Sequence, residues 1–261
     1  MKVSKSDLIL DSIIKEYLKS KSPIGSSNLQ EKMMLDISPS TIRIYFKRLS
    51  EEGSLVQLHV SSGRIPTEMA LRNYWIKKIE PKKPIVIEDI DKIQNSTRDY
   101  GLYCVLKKKK NSILNEIIRV GERFLILVFD DEEFVIKYHS KVETFLNNFI
   151  GCNMDELRKI ASSVGLYELY DKLNKVILQN DLFEEGVKEL YSIAQEYNDE
   201  DFVDKVTEPS FLDSLNVGIY FDDFIPKGCM AVKQNALVNK EALQIFCLGR
   251  LNSDFESFLN L

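Results

Sequence analysis

Hydrophobic positions at the start of the chain recur with the spacing of amphipathic helices. Apolar residues at every third or fourth position predict a first helix over residues 8–18. Pro23 and Gly25 then break the pattern, and Ser27 with Gln30 has the capping-box spacing that begins a short second helix ending at about residue 34. The chain therefore opens with two helices separated by a tight turn.

A third helix and a hairpin follow these two helices. Ser38 can cap a helix whose first residue is Pro39, and Gly53 allows the left-handed conformation that ends it. Residues 55–60 predict a strand, and a tight turn leads into a return strand at residues 64–66. This order of helices and strands is typical of a winged helix-turn-helix domain.

The chain divides into an N-terminal domain, a linker and a larger C-terminal domain. Thr67 is predicted to cap a fourth helix, which completes a domain of residues 1–80. Two prolines that flank two lysines predict a linker at residues 81–84. Residues 85–261 carry the signals of an α+β domain, in which helical periodicity over about 143–206 indicates an insertion.

Within the C-terminal domain, one hairpin is the clearest element. It joins a strand at residues 124–129 to a partner at 134–138 through an acidic turn. Residues 85–100 predict a helix, and a last helix is expected near residues 240–251. Residues 113–120 suit a helix by their spacing and a strand by their isoleucine and valine content, so both remain open. Further short strands are predicted at residues 101–106, 217–221 and 230–232.

Charge is distributed unevenly along the chain. Residues 1–80 contain 13 basic and 9 acidic residues, whereas residues 81–261 contain 22 basic and 31 acidic ones. The most acidic stretch, residues 155–223, has 6 basic and 17 acidic residues. We therefore expect a polyanion to meet the N-terminal domain, and the acidic remainder to meet protein or a second copy.

Composition and missing motifs exclude several classes of function. Four cysteines lie tens of residues apart and the two histidines share no helical face, so we predict no disulfide framework, no metal site and no cofactor. The chain has no glycine-rich phosphate loop, nucleophile elbow or zinc-protease motif, so we predict that it is not an enzyme. No apolar run is long enough to span a bilayer and no export signal is present, so we expect a cytoplasmic protein.

The third helix carries the main candidate DNA-binding residues. Ile42, Phe46 and Leu49 recur at i, i+4 and i+7 and should face the core, which leaves Arg43 on the surface to contact guanine or phosphate. A solvated charged face is the alternative, but the short helix and hairpin beside it favour DNA binding. The predicted DNA-binding residues are Ser26, Ser38, Ser40, Thr41, Arg43, Tyr45, Lys47, Arg48, His59, Ser61, Ser62, Gly63, Arg64 and Thr67.

Three stretches of this region resemble, in order and spacing, the signature stretches of the HrcA heat-inducible transcription repressors. They are Pro23-Ile24-Gly25-Ser26, Ser38-Pro39-Ser40-Thr41-Ile42-Arg43 and His59-Val60-Ser61-Ser62-Gly63-Arg64-Ile65-Pro66-Thr67. The resemblance implies a winged-helix domain and a GAF-like domain interrupted by a dimerisation insert. It also implies a homodimer that binds an inverted-repeat operator in double-stranded DNA upstream of chaperonin and Hsp70-type chaperone genes, with chaperonin as the modulator of its activity.

One departure from that family lies in the third helix. After the arginine, the family usually places Asn-Asp, whereas this chain has Ile44-Tyr45. Base contacts implied by the resemblance are therefore not transferred to these two positions.

The sequence thus predicts a dimeric winged-helix repressor whose third helix enters the major groove. Two alternatives remain open. One is a winged-helix regulator whose GAF-like domain binds a small molecule, which would raise the melting temperature. The other is a protein-interaction module. Replacement of Arg43 and Arg64 by alanine distinguishes it, because a DNA-binding protein should lose DNA affinity and show a weaker salt dependence of binding.

Overall fold

The structure is a computed structural model that describes residues 4–32, 37–59, 62–108, 112–130, 132–179 and 182–260. In chain order the elements are α1 (Lys5–Ser20), α2 (Ser26–Lys32), α3 (Pro39–Glu51), β1 (Leu55–Val56), β2 (Ile65–Pro66), α4 (Glu68–Lys78), β3 (Ile85–Ile87), α5 (Ile90–Tyr100), β4 (Leu102–Lys108), β5 (Leu114–Val120), β6 (Phe124–Phe129), β7 (Glu133–Lys137), α6 (Ser140–Asn147), α7 (Met154–Ser163), α8 (Tyr167–Gln179), β8 (Leu182–Glu185), α9 (Val187–Tyr197), α10 (Asp201–Thr207), α11 (Pro209–Ser214), β9 (Gly218–Tyr220), β10 (Cys229–Val238), β11 (Glu241–Arg250) and α12 (Phe255–Leu259). The predicted mixture of helices and strands is confirmed. No helix in the described ranges is long and apolar enough to cross a bilayer.

The first two helices form where the hydrophobic spacing predicts them, with differences at their ends. Helix α1 extends beyond residues 8–18 on both sides, because the Ser4 side chain caps it by accepting a hydrogen bond from the Asp7 N–H. Helix α2 begins at Ser26, so Ser27 lies inside the helix and the predicted capping box is wrong. The end predicted for α2 near residue 34 lies outside the described residues.

Helix α3 begins as predicted. The Ser38 side chain accepts a hydrogen bond from the Thr41 N–H at 3.3 Å, and Pro39 occupies the first turn, where its missing N–H costs nothing. Gly53, two residues beyond the helix, has φ +74°, the left-handed conformation that glycine adopts without strain. Ile42, Phe46 and Leu49 are buried in the N-terminal core with side chains of α1, α2 and β1.

The hairpin that follows α3 is shorter than predicted. Strands β1 and β2 pair antiparallel over two residues each, whereas the sequence predicts a strand through residue 60. The chain leaves the ladder after Val56, and the Ser62 N–H donates to the His59 carbonyl at 2.9 Å. Residues 60 and 61 lie outside the described residues.

Helix α4 links the N-terminal core to the C-terminal sheet. Thr67 caps it as predicted by accepting from the Ala70 N–H. Trp75 is fully buried, and its indole N–H donates to the Leu251 carbonyl at 2.8 Å. Arg72 forms an ion pair with Asp222, which lies just after β9. Helix α4 is therefore fixed to the C-terminal elements by a buried hydrogen bond and an ion pair.

The C-terminal elements are organised around a six-stranded sheet. Its order is β3-β10-β11-β4-β8, and β9 pairs with β10 beside β3. Strands β10 and β11 form a long antiparallel hairpin with Val238 opposite Glu241. The helix predicted near residues 240–251 is therefore wrong. The turn uses Asn239 and Lys240, both at positive φ, instead of the glycine that marks most two-residue hairpins.

The start of the predicted helix at residues 85–100 is a strand. Ile85–Ile87 forms β3, which pairs parallel with Ala236–Val238, and the helix begins only at Ile90 after the Asp89 cap. Three β-branched residues directly after a proline favour the extended conformation. The remaining helix and the strand that follows it are confirmed.

A second compact unit comprises residues 107–183, while the first comprises residues 1–106 and 184–261. The second unit contains the antiparallel sheet β5-β6-β7 and the helices α6, α7 and α8. The predicted 124–138 hairpin is confirmed, and residues 113–120, left open between helix and strand, contain β5. The bounds of the second unit differ from those of the helical insertion expected at about 143–206. The unit includes a sheet, and Leu182–Glu185 is a strand.

Candidate nucleic-acid interface

The outward side of α3 presents polar and charged side chains in a continuous face. Ile42, Phe46 and Leu49 are buried, and the helical repeat of 100° per residue turns the side chains between them to the opposite side. The exposed members of this face are Ser40, Thr41, Arg43, Ile44, Lys47 and Arg48. Of the residues predicted within α3, all except Tyr45 are thus exposed on this side, which also carries Ile44.

Three hydroxyl groups converge at the beginning of α3. The Ser38 Oγ atom lies 2.8 Å from Ser40 Oγ and 3.0 Å from Thr41 Oγ1. Since these hydroxyls surround the N-terminus of a 13-residue helix, they lie at its positive dipole end. The arrangement can donate hydrogen bonds to an anionic oxygen.

Arg43 lies at the edge of this face and is turned toward α2. Its Nε donates to Ser26 Oγ at 3.2 Å. Both residues line a cleft of about 400 Å³, whose other side is formed by Gln57 and by the hairpin residues Ser62 and Arg64. Two arginines from distant parts of the sequence therefore line the same cleft.

Arg64 is positioned by a main-chain bridge to the turn before α2. The Arg64 N–H donates to the Ile24 carbonyl at 2.9 Å, and the Ile24 N–H donates to the Arg64 carbonyl at 2.8 Å. Gly63 allows this approach, because a Cβ there would lie 2.4 Å from the Ile24 carbonyl oxygen. The Arg64 Nε is buried and has no hydrogen-bond partner among the described residues.

The cations at the other end of α3 are paired with acidic neighbours. Arg48 Nε donates to Glu52 Oε1 at 2.8 Å, and this hydrogen bond raises the pKa of the Arg48 guanidinium. Lys47 Nζ lies 3.9 Å from Glu51 Oε1. Among the described residues of α3, the cation without an acidic partner is Arg43, which lies in the N-terminal half of the helix and lines the cleft.

Several predicted DNA-binding residues have structural contacts instead of a free surface position. Tyr45 packs against the N-terminal core, because its position places it beside the buried row of α3. The Thr67 hydroxyl donates to the Gly53 carbonyl at 2.8 Å while it caps α4. His59 is exposed, and Ser62 is tied to it by the turn. Ser61 lies outside the described residues.

Three lining residues of the cleft, Gly25, Phe46 and Gln57, are absent from the predicted set, and Gln57 is the one among them with a polar side chain. Gln57 lies on the cleft wall, and its side-chain amide donates to the Ser62 carbonyl at 3.0 Å. Nothing in the local sequence distinguishes it from the polar positions of an ordinary strand. The only signal is its place between the third helix and the turn.

Two carboxylates outside the interface, Asp222 and Asp130, are engaged by neighbouring groups. Asp222 pairs with Arg72, whose hydrogen bond holds the pKa of that carboxyl below its usual value. The Asp130 carboxylate accepts hydrogen bonds from Asn115 and from the Ile113 N–H, which lower its pKa in the same way. These carboxylates fix loops, and the described residues contain no group of three His, Cys, Asp or Glu side chains placed to hold a metal ion.

Comparison with known proteins places the chain in one family. A model of the HrcA C-terminal domain matches residues 75–261. The chain is 33% identical over 256 residues to the heat-inducible transcription repressor HrcA of Helicobacter pylori strain J99, a match that covers 98% of this chain and 93% of that protein. It is 32% identical, with the same coverage, to the protein of that name from strain 26695. The chain therefore belongs to the HrcA family, and the resemblance found in its sequence is confirmed.

A solved structure also aligns with the whole chain. It is the crystal structure of a hypothetical protein, with 19% sequence identity and a TM-score of 0.49, over 98% of this chain and 93% of the other.

Proposed function

We propose that this chain is a transcription repressor of heat-shock chaperone genes that binds an inverted-repeat operator as a dimer. The observation that carries the proposal is the convergence of Arg43 and Arg64 on one cleft beside the exposed face of α3. The names of the relatives, heat-inducible transcription repressor, support the same role. On this proposal the N-terminal region is a winged helix-turn-helix domain, and residues 85–261 form a GAF-like domain with a dimerisation insert.

The charges suggest how DNA would be held. Helix α3 would enter the major groove with its N-terminal half leading, where the hydroxyls of Ser38, Ser40 and Thr41 can donate to the duplex. A backbone phosphate would occupy the cleft between Arg43 and Arg64, because two guanidinium groups and a hydroxyl match its oxygens. The hairpin would lie along the adjacent backbone or minor groove.

The dimer would form through the second compact unit. One face of its sheet is packed against the helices, and the other carries a row of Ile118, Ile126 and Val135 that crosses all three strands. Val135 at the end of this row is 45% exposed. Apolar side chains in a continuous exposed row are characteristic of an interaction surface.

Charge complementarity makes a second copy the expected partner of this face. A neighbouring row on the same face consists of Val128 between Glu116 and Glu133. The row on the other side of the apolar row contains Phe124 and ends at Lys137. A two-fold axis that runs along the apolar row would place Lys137 of one copy opposite Glu133 of the other. A symmetric dimer in turn matches an inverted-repeat operator.

A matched pair of lysine substitutions tests the dimer. Val135→Lys places a charge in the apolar row, whereas Val164→Lys places the same charge at a valine of similar exposure, at the end of α7 in the same unit. Sedimentation should show monomers for the first variant and dimers for the second. Dimers for both variants would rule out this face as the interface.

Salt-dependent DNA binding tests the repressor assignment itself. Binding of the full chain to an inverted-repeat chaperone promoter is measured by gel shift over a series of salt concentrations. Each phosphate contact contributes about 0.9 to the slope of log affinity against log salt, so a dimer that loses two contacts should lose about 1.8. We expect this loss for Arg43→Ala and for Arg64→Ala. Arg98→Ala, which removes an exposed arginine on α5, should leave the slope unchanged.

Two results would contradict the proposal, the first by overturning the proposed DNA-binding surface and the second by overturning the repressor assignment itself. The first is equal slopes for the wild type, Arg43→Ala and Arg64→Ala, and the second is no binding of the wild type to any promoter duplex. Equal slopes with retained binding would show that DNA lies elsewhere on the molecule.

Chaperonin is the proposed source of the heat signal. On this proposal the C-terminal domain is marginally stable and requires chaperonin to reach its DNA-binding form, so chaperonin occupied by heat-damaged clients would leave the repressor inactive. Operator affinity is measured with and without chaperonin, before and after a heat pulse. Higher affinity with chaperonin after the pulse is expected, and identical affinities in all four conditions would refute the link.

A further inference from the structure

Ile44 occupies the centre of the outward face of α3. It is 69% exposed, and the helical repeat places it directly opposite the buried pair Ile42 and Phe46. Its neighbours one turn away along the face are Ser40, Thr41, Lys47 and Arg48. A large apolar side chain is thus surrounded by hydroxyls and cations.

Folding of the N-terminal core does not explain an isoleucine at this position. A β-branched residue is less favourable in the middle of a helix than alanine, lysine or glutamate, because its χ1 is restricted. The side chain also adds no burial to the core formed by Ile42, Phe46 and Leu49. Ile44 therefore has the properties of a residue that gains its contacts from a bound partner.

Arg43 is not placed to fill the central position of the face. Its Nε is bonded to Ser26 at 3.2 Å, and its guanidinium borders the lateral cleft with Arg64. A helix inserted into the major groove with Arg43 on the backbone would direct Ile44 at the floor of the groove. The residue nearest the base edges would then be apolar.

We propose that Ile44 is a specificity-determining residue that packs against the 5-methyl group of a thymine in each operator half-site. The thymine methyl is the one apolar group that the bases display in the major groove, so it is the contact that an isoleucine can recognise there. The inference rests on the proposed function and adds the identity of one base pair. It assigns an A·T pair to the position under Ile44.

Replacement of thymine by deoxyuridine tests the contact, because it removes only the methyl group. The probe is a duplex recovered from a randomised pool by the full-length protein and then resynthesised with deoxyuridine at one symmetric pair of thymines at a time. Loss of one buried methyl should weaken binding about fourfold per half-site, and about fifteenfold when both half-sites are changed. The wild type should show this loss at one thymine position only.

Variants at Ile44 connect the effect to this side chain. Ile44→Ala should bind the thymine and deoxyuridine duplexes equally, whereas Ile44→Val, which keeps an apolar branched side chain, should keep most of the discrimination. Both substitutions lie on the surface of α3 and leave the buried row intact. Circular dichroism of the two variants checks that the helix is unchanged.

The outcomes separate the inference from the proposed function. Binding of the wild type that is insensitive to deoxyuridine at every thymine overturns the role of Ile44 and leaves the repressor assignment standing. The same holds if Ile44→Ala keeps the full discrimination of the wild type. Recovery of no duplex from the pool overturns the proposed function together with the inference.

Discussion

The close approach of Gly63 to Ile24 leads to a quantitative prediction for Gly63→Ala. A Cβ at position 63 would lie 2.4, 2.5 and 2.8 Å from the O, C and N atoms of Ile24. All three are main-chain atoms, so no side-chain rotation relieves the clash. Ordinary contact requires the two segments to separate by about 1 Å, which stretches the bridge hydrogen bonds of 2.8 and 2.9 Å beyond the range of hydrogen bonding.

The cost of this separation follows from the two lost hydrogen bonds. At about 0.5–1.5 kcal/mol each, the local opening free energy should fall by about 1–3 kcal/mol. Native-state hydrogen exchange reports this quantity directly, because the amides of Ile24 and Arg64 are the two donors of the bridge. Both amides should exchange about 5- to 150-fold faster in Gly63→Ala than in the wild type.

Gly25→Ala is the matched control for this substitution. Gly25 is next to Ile24 in sequence, but a Cβ there meets nothing within 4 Å. Exchange of the Ile24 and Arg64 amides should therefore be unchanged or slower, since alanine restricts the unfolded chain. Unchanged exchange in Gly63→Ala would show that the bridge tolerates a side chain and that the reasoning from close approach is wrong.

Three further predictions concern the C-terminal elements and their contacts with α4. Asp222→Asn should lower stability at pH 7 by up to about 1 kcal/mol. Because Arg72 depresses the pKa of that carboxyl, the stabilisation is present above about pH 4 and lost below it, so the difference in urea midpoint between wild type and variant should shrink as the pH falls from 5 to 3. Trp75→Phe removes the donor to a buried carbonyl and should cost about 1–3 kcal/mol, measured by urea unfolding with circular dichroism because this tryptophan is the only one in the chain. A thiol reagent should modify the half-buried Cys152 before Cys229, since Cys229 is fully buried and burial raises its pKa to about 12; equal rates would contradict this order.

Local signals were sufficient to predict that the N-terminal helices exist and where α3 and α4 begin, although the cap predicted for α2 is wrong. The beginning of α3 depends on Ser38 and Pro39, and its end depends on Gly53, all within two residues of the boundary that they set. Thr67 fixes the start of α4 in the same way. Capping and periodicity are properties of contiguous residues, so they can be recognised before any tertiary contact is known.

The strands of the large sheet were harder to predict because their partners are distant or lack a turn signal. Strand β3 is stabilised by parallel pairing with residues about 150 positions later. Strand β11 has a continuous run of buried residues at its C-terminal end, so the alternation that marks a half-exposed strand is missing. The turn of its hairpin with β10 consists of Asn239 and Lys240. This turn has no glycine, the residue from which such turns are usually predicted.

The exposed face of α3 could be predicted from the sequence, but the cleft beside it could not. The exposed face of α3 follows from the spacing of its buried residues, whereas the cleft depends on a bridge between Ile24 and Arg64, forty positions apart. The sequence alone therefore could not show that Arg43 and Arg64 border one cavity, or that Gln57 lines it. Both facts arise from main-chain pairing that Gly63 permits.

The pairing of charges along α3 explains how a small excess of positive charge could orient DNA. At the C-terminal end of the helix, Arg48 and Lys47 each have a glutamate one turn away, so this end contributes little net field. At the N-terminal end, Arg43 lies beside the helix dipole and has no ion-pair partner among the described residues. A polyanion would therefore be drawn to the N-terminal half of the helix, the orientation in which Ile44 lies over the base edges instead of the backbone.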